Sequence, residues 1–596
     1  MKSTLFFQLL FAITSFILIL LSCNNISSTR NIPEKSFFLD SQLDLNALNK
    51  EKVDQLVYLG MVWGFMKYYN PLSNQKQINW DEKLISVLPE VLSTKTSGEF
   101  YSLIENWIDV NNKVLRFSKQ AESDTTVFEF KSDYGYIFSN QKVPKSLNHK
   151  LIFIKNHFSY NPNIYVSMAS SGNADFTKDT CFNSVDFPNV KIRLLALFRY
   201  WNIIQYYYPY RKLIPSDWNK VLAEFIPSVM RAENKKEYTL IFLKLISLVN
   251  DTHANIWRNN KTIDSLKGLF ITPFQCRFIE GKLIVTGYYY KFTQSKNNLL
   301  IGDIIEKIDG TSIDSLIKEF WSITPASNPE RKLWSMPSSS GFLLRSNKKT
   351  TTITFRRENI SKSITIQKVA LDSCNVMIDK IDVNQMSGFK LVQKDIGYIY
   401  CAKLTQNSLD SIISLFANTK GLIIDLRCYP SVFMPFLYAQ WLKKEKSDFA
   451  NITYPNFNLP GSFVKGNKNE NGGYSFNNME LSHSQKYNGK IVVLVNSATL
   501  SQAEYTALAF SSIPGAKVVG STTAGADGDV SQINLPGGIE TFISGIGVSY
   551  PDGSTTQQTG IKIDFKAEQT IDGIKHHRDD ILQEGIKIIN DKAMSK

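Results

Sequence analysis

Seven residues in the N-terminal half of the chain recur at one constant spacing. Trp63, Tyr68, Tyr69, Pro71, Trp80, Pro89 and Glu99 are repeated, 138 positions later in every case, by Trp201, Tyr206, Tyr207, Pro209, Trp218, Pro227 and Glu237. A gapless match over roughly 40 residues predicts two copies of one supersecondary unit. In each copy an aromatic helix ends at the first Pro, a short loop precedes the second Trp, and amphipathic helices follow. The aromatic stripe, which includes Tyr206 to Tyr208, reads as core packing or as a ligand cage, and core is the commoner use of such residues. Between the copies, Thr126 to Phe130, Leu151 to Ile154 and Asn163 to Met168 have the composition of strands, which predicts a β-rich insertion over 116–190. The copies differ at one position of chemical interest. The second ends in Asn250, Asp251, Thr252 and His253, and the residue corresponding to His253 in the first is Leu115.

At 596 residues and 43% hydrophobic, the chain is too long for a single core and too apolar to be disordered, so several folded domains are expected. The excess of 67 basic over 54 acidic residues is scattered rather than gathered in a stripe, which argues against a nucleic-acid partner. Only six His and six Cys occur, and none has the spacing of a zinc site, so no metal or cofactor is expected.

The first segment has one early positive charge at Lys2, an apolar run from Phe16 to Leu21, and then Ser22 and Cys23. This is the pattern of a secretory signal. Its Leu-Leu-Ser-Cys ending resembles a bacterial lipobox, which implies that Cys23 is lipidated and that 1–22 is removed. An uncleaved anchor is the alternative, although the run is short for a bilayer span. Either way, the remainder is expected outside the cytoplasm, held at a membrane. Cys181, Cys276, Cys374, Cys401 and Cys428 are an odd, widely spaced set rather than a disulfide framework.

Residues 262–370 are rich in short strands. In Leu299 to Ile313, Gly302 and Asp303 form a turn, Ile304, Ile305 and Ile308 are strand positions, and Asp309 with Gly310 is a tight hairpin. The pattern resembles a PDZ domain, a module that accepts an extended peptide as an added strand. An ordinary β insertion is the other reading. Thereafter strands and helices alternate. Ile396 to Cys401, Gly421 to Leu426, Lys490 to Val495 and Ala516 to Gly520 read as buried strands, with helices at Leu409 to Asn418 and Gln502 to Phe510, which is an α/β layer. Ser501 opens the second of these helices directly after a strand. A Ser there lies beside backbone N–H groups that can stabilise an oxyanion, as acyl transfer requires. Ser501 and Glu504 equally fit a capping box with no chemistry.

The segments Gly421 to Ser431, Asn496 to Glu504, Val518 to Gly528 and Thr559 to Asp564, following a PDZ-like region, are together similar to the C-terminal processing, or tail-specific, protease superfamily. The likeness extends over about residues 190–590. It implies a crotonase-like α/β catalytic domain and a Ser nucleophile at Ser501. The tail-specific branch would carry its Lys base where this chain has Ala526. The tricorn-like branch instead uses a His before the PDZ domain, a place held here by His253, with Thr252 where that branch has an assisting Ser. An imidazole accepts a Ser proton near neutral pH without the large shift that Lys needs. The branch's acidic residue falls on Gln557, which can orient a neighbour but carries no charge. The usual paired glycines fall on Ser431 and Val432. The resemblance places the oxyanion donors on the backbone N–H groups of Gln502 and Ser431.

The expected fold class is therefore multi-domain α/β. It comprises a lipoprotein signal (1–22), a tether (23–50), a first helical unit with its insertion (51–190), a second helical unit carrying His253 (191–261), a PDZ-like domain (262–370) and a catalytic domain (371–596). The expected function is an extracytoplasmic, lipid-anchored serine peptidase acting on unfolded or C-terminal peptide segments. Its alternative is a catalytically inactive peptide-binding or scaffold lipoprotein of the same fold. His149, His157, His483, His576 and His577 have no motif context.

Overall fold

The computed structural model describes residues 43, 45–69, 78–108, 128–139, 141–156, 163–180, 182, 186–257, 260–289, 299–374, 387–445, 448–466 and 485–591. The signal segment, Cys23, Pro71 and Cys181 lie outside the described residues.

The repeat is two sets of three helices in the same order. Helices α1 (Lys50–Tyr69), α2 (Trp80–Ser93) and α3 (Ser97–Ile108) are matched by α4 (Val190–Tyr207), α5 (Trp218–Arg231) and α6 (Lys235–Ser247). The shared tryptophans explain why the spacing is kept. Trp63 donates its indole N–H to the Trp80 carbonyl at 2.9 Å, and Trp201 does the same to Trp218 at 2.7 Å, so each long helix is tied to the start of the next. Helices α2 and α5 each contain a Pro, Pro89 and Pro227, within an otherwise helical span. Side chains Asn79 and Asp217 cap their N-termini by accepting backbone N–H bonds. The aromatic stripe is core: Trp63, Trp201 and Tyr206 to Tyr208 are essentially inaccessible.

Two glycines allow α1 and α4 to cross closely. A Cβ on Gly64 would lie 1.8 Å from Asn202 Oδ1, and one on Gly60 would lie 2.6 Å from the Phe198 ring. Asn202 uses this proximity to donate to the Gly60 carbonyl at 3.0 Å. A buried charge cluster joins the same helices: Lys67 Nζ lies 2.8 Å from Asp81 and 2.5 Å from Asp179, and Arg199 lies 2.9 Å from Asp81.

The segment between the copies is not β-rich in its described parts. Leu151 to Ile154 lies inside a helix, Lys145–Asn156, and the nearby strands are only Phe128–Phe130, Ser167–Met168 and Ala174–Asp175. Leu147 and Leu151, one turn apart, are the residues this helix buries, so helical spacing prevailed over a short apolar run that looked strand-like.

Next comes an antiparallel sheet of β1 (Phe274–Ile279), β2 (Lys282–Tyr288), β3 (Ile304–Ile308), β4 (Thr350–Arg357) and β5 (Ile360–Gln367), in the spatial order β5-β4-β3-β2-β1, with Thr311–Ser312 pairing β3. The turn into Thr311 has positive φ at both Asp309 and Gly310, and the Asp309 carboxylate accepts from Thr352 N at 2.8 Å. Helix α7 (Pro329–Ser335) follows the residues that reach toward the last layer.

That layer is built on β6 (Phe389–Gln393), β7 (Ile396–Tyr400), β8 (Gly421–Asp425), β9 (Lys490–Val495), β10 (Lys517–Gly520) and β13 (Phe565–Lys566), adjacent in that order and parallel from β7 onward; the intervening β11 (Val530–Leu535) and β12 (Ile539–Ser544) form a separate hairpin. Strands β7 and β8 are buried at every residue, as expected where both faces of a parallel sheet are covered. Helix α8 (Gln502–Ser511) contributes Ala507, Leu508 and Phe510 to this core. On α9 (Asp580–Asn590), Gly585 lies against Leu494 and Val492 of β9.

Candidate active site

Strand β9 leads through Asn496 to Leu500 into α8, and Ser501 stands at that junction with φ +56° and ψ −118°. This conformation is unfavourable for a residue with a Cβ. Local bonds hold it: the Ser501 N–H donates to the Ala526 carbonyl at 3.1 Å and to Glu504 Oε2 at 3.3 Å. Glu504 is buried and also accepts from Thr523 Oγ1 at 2.5 Å, Gly525 N at 2.8 Å and Ala526 N at 3.0 Å. Burial raises the Glu504 carboxyl, and these bonds pull it partly back. The sequence motif SxxE thus forms the expected capping box and, through Glu504, also ties the serine junction to the loop Thr523–Ala526. The adjacent Asp527 is driven well above the ordinary carboxylate range by burial and by the Glu504 charge.

The same loop reaches the histidine. Thr252 Oγ1 donates to the Ala524 carbonyl at 2.9 Å, while the Ala524 N–H donates to the Thr499 carbonyl at 2.9 Å. Thr252 also meets Ser327: its N–H donates to Ser327 Oγ at 2.8 Å and its Oγ1 accepts from Ser327 N at 2.9 Å. Its hydroxyl is thus spent on joining three loops rather than on the ring of His253.

His253 is oriented from another side. The hairpin of β11 (Val530–Leu535) and β12 (Ile539–Ser544) pairs Val530 with Ser544 at its open end. There Ser544 Oγ lies 2.9 Å from His253 Nδ1 and 3.1 Å from Asp251 Oδ1. Asp251 Oδ2 accepts from Ser544 N at 2.7 Å, and its Oδ1 accepts from His253 N at 3.0 Å. At the far end of the hairpin the Trp257 N–H donates to the Glu540 carbonyl at 3.0 Å, and the Trp257 indole donates to the His253 carbonyl at 2.7 Å. The His253 ring is buried and its Nε2 has no hydrogen-bond partner among the described residues. Burial lowers its pKa, with Asp251 and Asp529 opposing and Arg331 assisting. Arg331, on α7, is itself pushed down to about 10 by burial and donates to the Ser497 carbonyl at 2.6 Å.

One further group links the two halves. Burial raises the Tyr429 phenol, with the Ser501 side chain opposing and the Asp529 charge assisting, and Asp529 also acts on His253.

Two expected roles are corrected. Gln557 is fully buried, but its amide donates to the Tyr208 hydroxyl at 3.3 Å, whereas Asp251 and Ser544 take the place beside the His253 ring. The Ser431 N–H is committed to the Cys401 carbonyl at 3.0 Å, and its hydroxyl to the Cys401 and Leu404 carbonyls, so a side chain at this position has turned the N–H away from an oxyanion. The Gln502 N–H, at the start of α8, has no acceptor among the described residues, and the Gln502 side chain donates to Val432 O at 2.8 Å. Sequence reasoning missed Asp251, Ser544, Arg331 and Tyr429. Asp251 carried a signal, since an Asp two residues before a His can accept that His backbone N–H, as it does here. Ser544 carried none.

Comparison with known proteins decides the type of domain. Residues 451–567, which include Ser501 and Ser544, match the family model described as peptidase family S41. Over these residues the chain is similar to the S41 peptidases. The match supports a serine-type peptidase, an enzyme class whose substrates are peptides or proteins. Mature CPAF, solved in complex with lactacystin, superposes with a TM-score of 0.52 at 12% identity, covering 67% of this chain and 98% of that one. The photosystem II D1 C-terminal processing protease gives a TM-score of 0.36 at 14% identity, covering 63% and 93% of the two chains. The tricorn protease gives 0.34 at 13%, covering 68% and 37%. No curated protein matches the chain by sequence. Among the described residues no helix is long and apolar enough to cross a membrane.

Proposed function

We propose that the chain is an extracytoplasmic serine peptidase in which Ser501 is the nucleophile and His253 the general base. The observation that carries this reading is the strained Ser501 junction, bonded through one loop, Thr523–Ala526, to the segment that holds His253. In the reaction, Ser501 Oγ attacks the scissile carbonyl while His253 Nε2 takes its proton, and the imidazolium returns that proton to the leaving amine. Water then repeats the sequence to release the acyl group. The Gln502 N–H is the oxyanion donor that remains available. The antiparallel sheet β1–β5 is read as the PDZ-like module that presents an extended peptide, and the parallel layer as the crotonase-like catalytic domain. Lipid attachment at Cys23 would hold the enzyme at the cell envelope, in the periplasm or on the cell surface.

The test is peptide hydrolysis by the chain from residue 24 onward. Ser501→Ala and His253→Ala are each expected to lower kcat by about 10³-fold or more, and activity unchanged in both would overturn the assignment. A second reading, a peptide-binding protein without turnover, is favoured by the committed Ser431 N–H. Covalent labelling of Ser501 by a fluorophosphonate probe excludes it, whereas peptide binding without labelling supports it.

A further inference from the structure

With Gln557 directed to Tyr208, the histidine has no acidic residue of the expected kind, yet its ring is not left unoriented. We propose that Ser544, held by Asp251, is the positioning residue that fixes the orientation and tautomer of His253. This rests on the peptidase reading above.

The argument is one of counting hydrogens. Asp251 is fully buried, and a carboxylate only accepts. It receives the backbone N–H of His253 at 3.0 Å and the backbone N–H of Ser544 at 2.7 Å, two donors that match a carboxylate. The Ser544 hydroxyl, 3.1 Å from Asp251 Oδ1, has a single hydrogen and directs it there. Ser544 Oγ must then accept at its contact with His253 Nδ1, at 2.9 Å. The Nδ1 atom therefore bears the ring hydrogen of the neutral imidazole, and the lone pair is left on Nε2, the nitrogen with no partner among the described residues. When Nε2 accepts a proton, the imidazolium charge arises 3.6 Å from Asp251 Oδ1. Asp251 and Ser544 meet the ring at Nδ1, the nitrogen opposite the one that takes the proton. Their work is done through the ring, as the carboxylate of a serine-protease triad does it directly. The charged groups facing the ring are Asp251 on its own loop, Asp529 beside the hairpin and Arg331 on α7.

The measurement is ring-¹⁵N NMR of the full chain with labelled histidine, which is tractable because only six His are present. His253→Gln assigns the signal. In the wild type near neutral pH the expected spectrum has a protonated Nδ1 and a bare Nε2. In Ser544→Ala the Nδ1–H form loses its acceptor and the Nε2–H tautomer appears. This variant keeps the backbone N–H that bonds Asp251, and circular dichroism verifies its fold. An Nε2–H tautomer in the wild type, or an unchanged spectrum in Ser544→Ala, would overturn the proposal. Kinetically, Ser544→Ala should lower kcat about 10- to 100-fold with little change in KM and move the acidic limb of kcat/KM to lower pH, and Ser544→Thr should restore both. A kcat and pH profile equal to wild type would also count against it. Failure of the peptidase reading shows separately, as hydrolysis unchanged in both Ser501→Ala and His253→Ala or as peptide binding without labelling of Ser501, and the ring spectrum decides the tautomer in either case.

Discussion

At residue scale the tension of the site resides in Ser501. Its φ of +56° is one that Gly adopts freely and a residue with a Cβ does not. Ser501→Gly should therefore raise stability relative to Ser501→Ala by about 1 kcal/mol, read as a higher urea midpoint, while both abolish turnover. A midpoint equal in the two variants would show that the conformation is unstrained. His253 supplies a pH prediction at the same scale. Burial holds its pKa below the ordinary value, against the pull of Asp251 and Asp529, so the ring remains an unprotonated base further into acid. The acidic limb of kcat/KM should lie below about pH 6.5, the ordinary imidazole value. Asp529→Asn removes one opposing charge and should move that limb lower still.

At the scale of elements, the crossing of α1 and α4 depends on two missing side chains. Gly64→Ala would drive a methyl into Asn202 and Gly60→Ala one into Phe198, and each should cost about 1–3 kcal/mol from overpacking, measured by denaturant unfolding. These glycines sit inside a helix whose other buried residues are large, so their purpose could not be read without the partner helix. The helices themselves were legible, because Trp63 and Trp201 recur with the carbonyls they bond. Strands β8 and β9 were legible as well, since continuous apolar runs have few other uses in an α/β layer. Leu151 to Ile154 was misread because four apolar residues do not distinguish a strand from a helix face. In the site, Ser501 and His253 stood out by motif, whereas Ser544 acts only through a hairpin end brought beside Asp251, and no local pattern announces such a meeting.

Across the whole molecule the helical units act as a frame for the catalytic loops. Tyr238 donates to the Pro536 carbonyl at 2.9 Å and Asn173 donates to the Val530 carbonyl at 2.8 Å, while Tyr210 Oη accepts from Val548 N at 2.6 Å, so the hairpin bearing Ser544 and the strand just after it are gripped from the N-terminal half. The frame depends on the cluster of Lys67, Asp81, Asp179 and Arg199. Burial raises the Asp81 carboxyl, but Lys67 and Arg199 outweigh it and leave the pKa below its ordinary value. A carboxyl depressed in this way stabilises the fold above its unfolded pKa and loses that contribution as the pH falls through the folded one. Wild-type stability should therefore drop as the pH is taken below about 3.9, and Asp81→Asn, expected to cost roughly 3–5 kcal/mol at pH 7, should flatten that dependence. Thr252 meets Ala524 across 272 residues, and Asp251 meets Ser544 across 293. A ribosome delivers these segments in order, and at roughly 5–20 residues per second the proposed base, His253, emerges tens of seconds before the proposed nucleophile, Ser501. On the proposed assignment, a growing chain holds only half of a cutting tool until the last of them arrives, so the timing of synthesis itself keeps the blade sheathed.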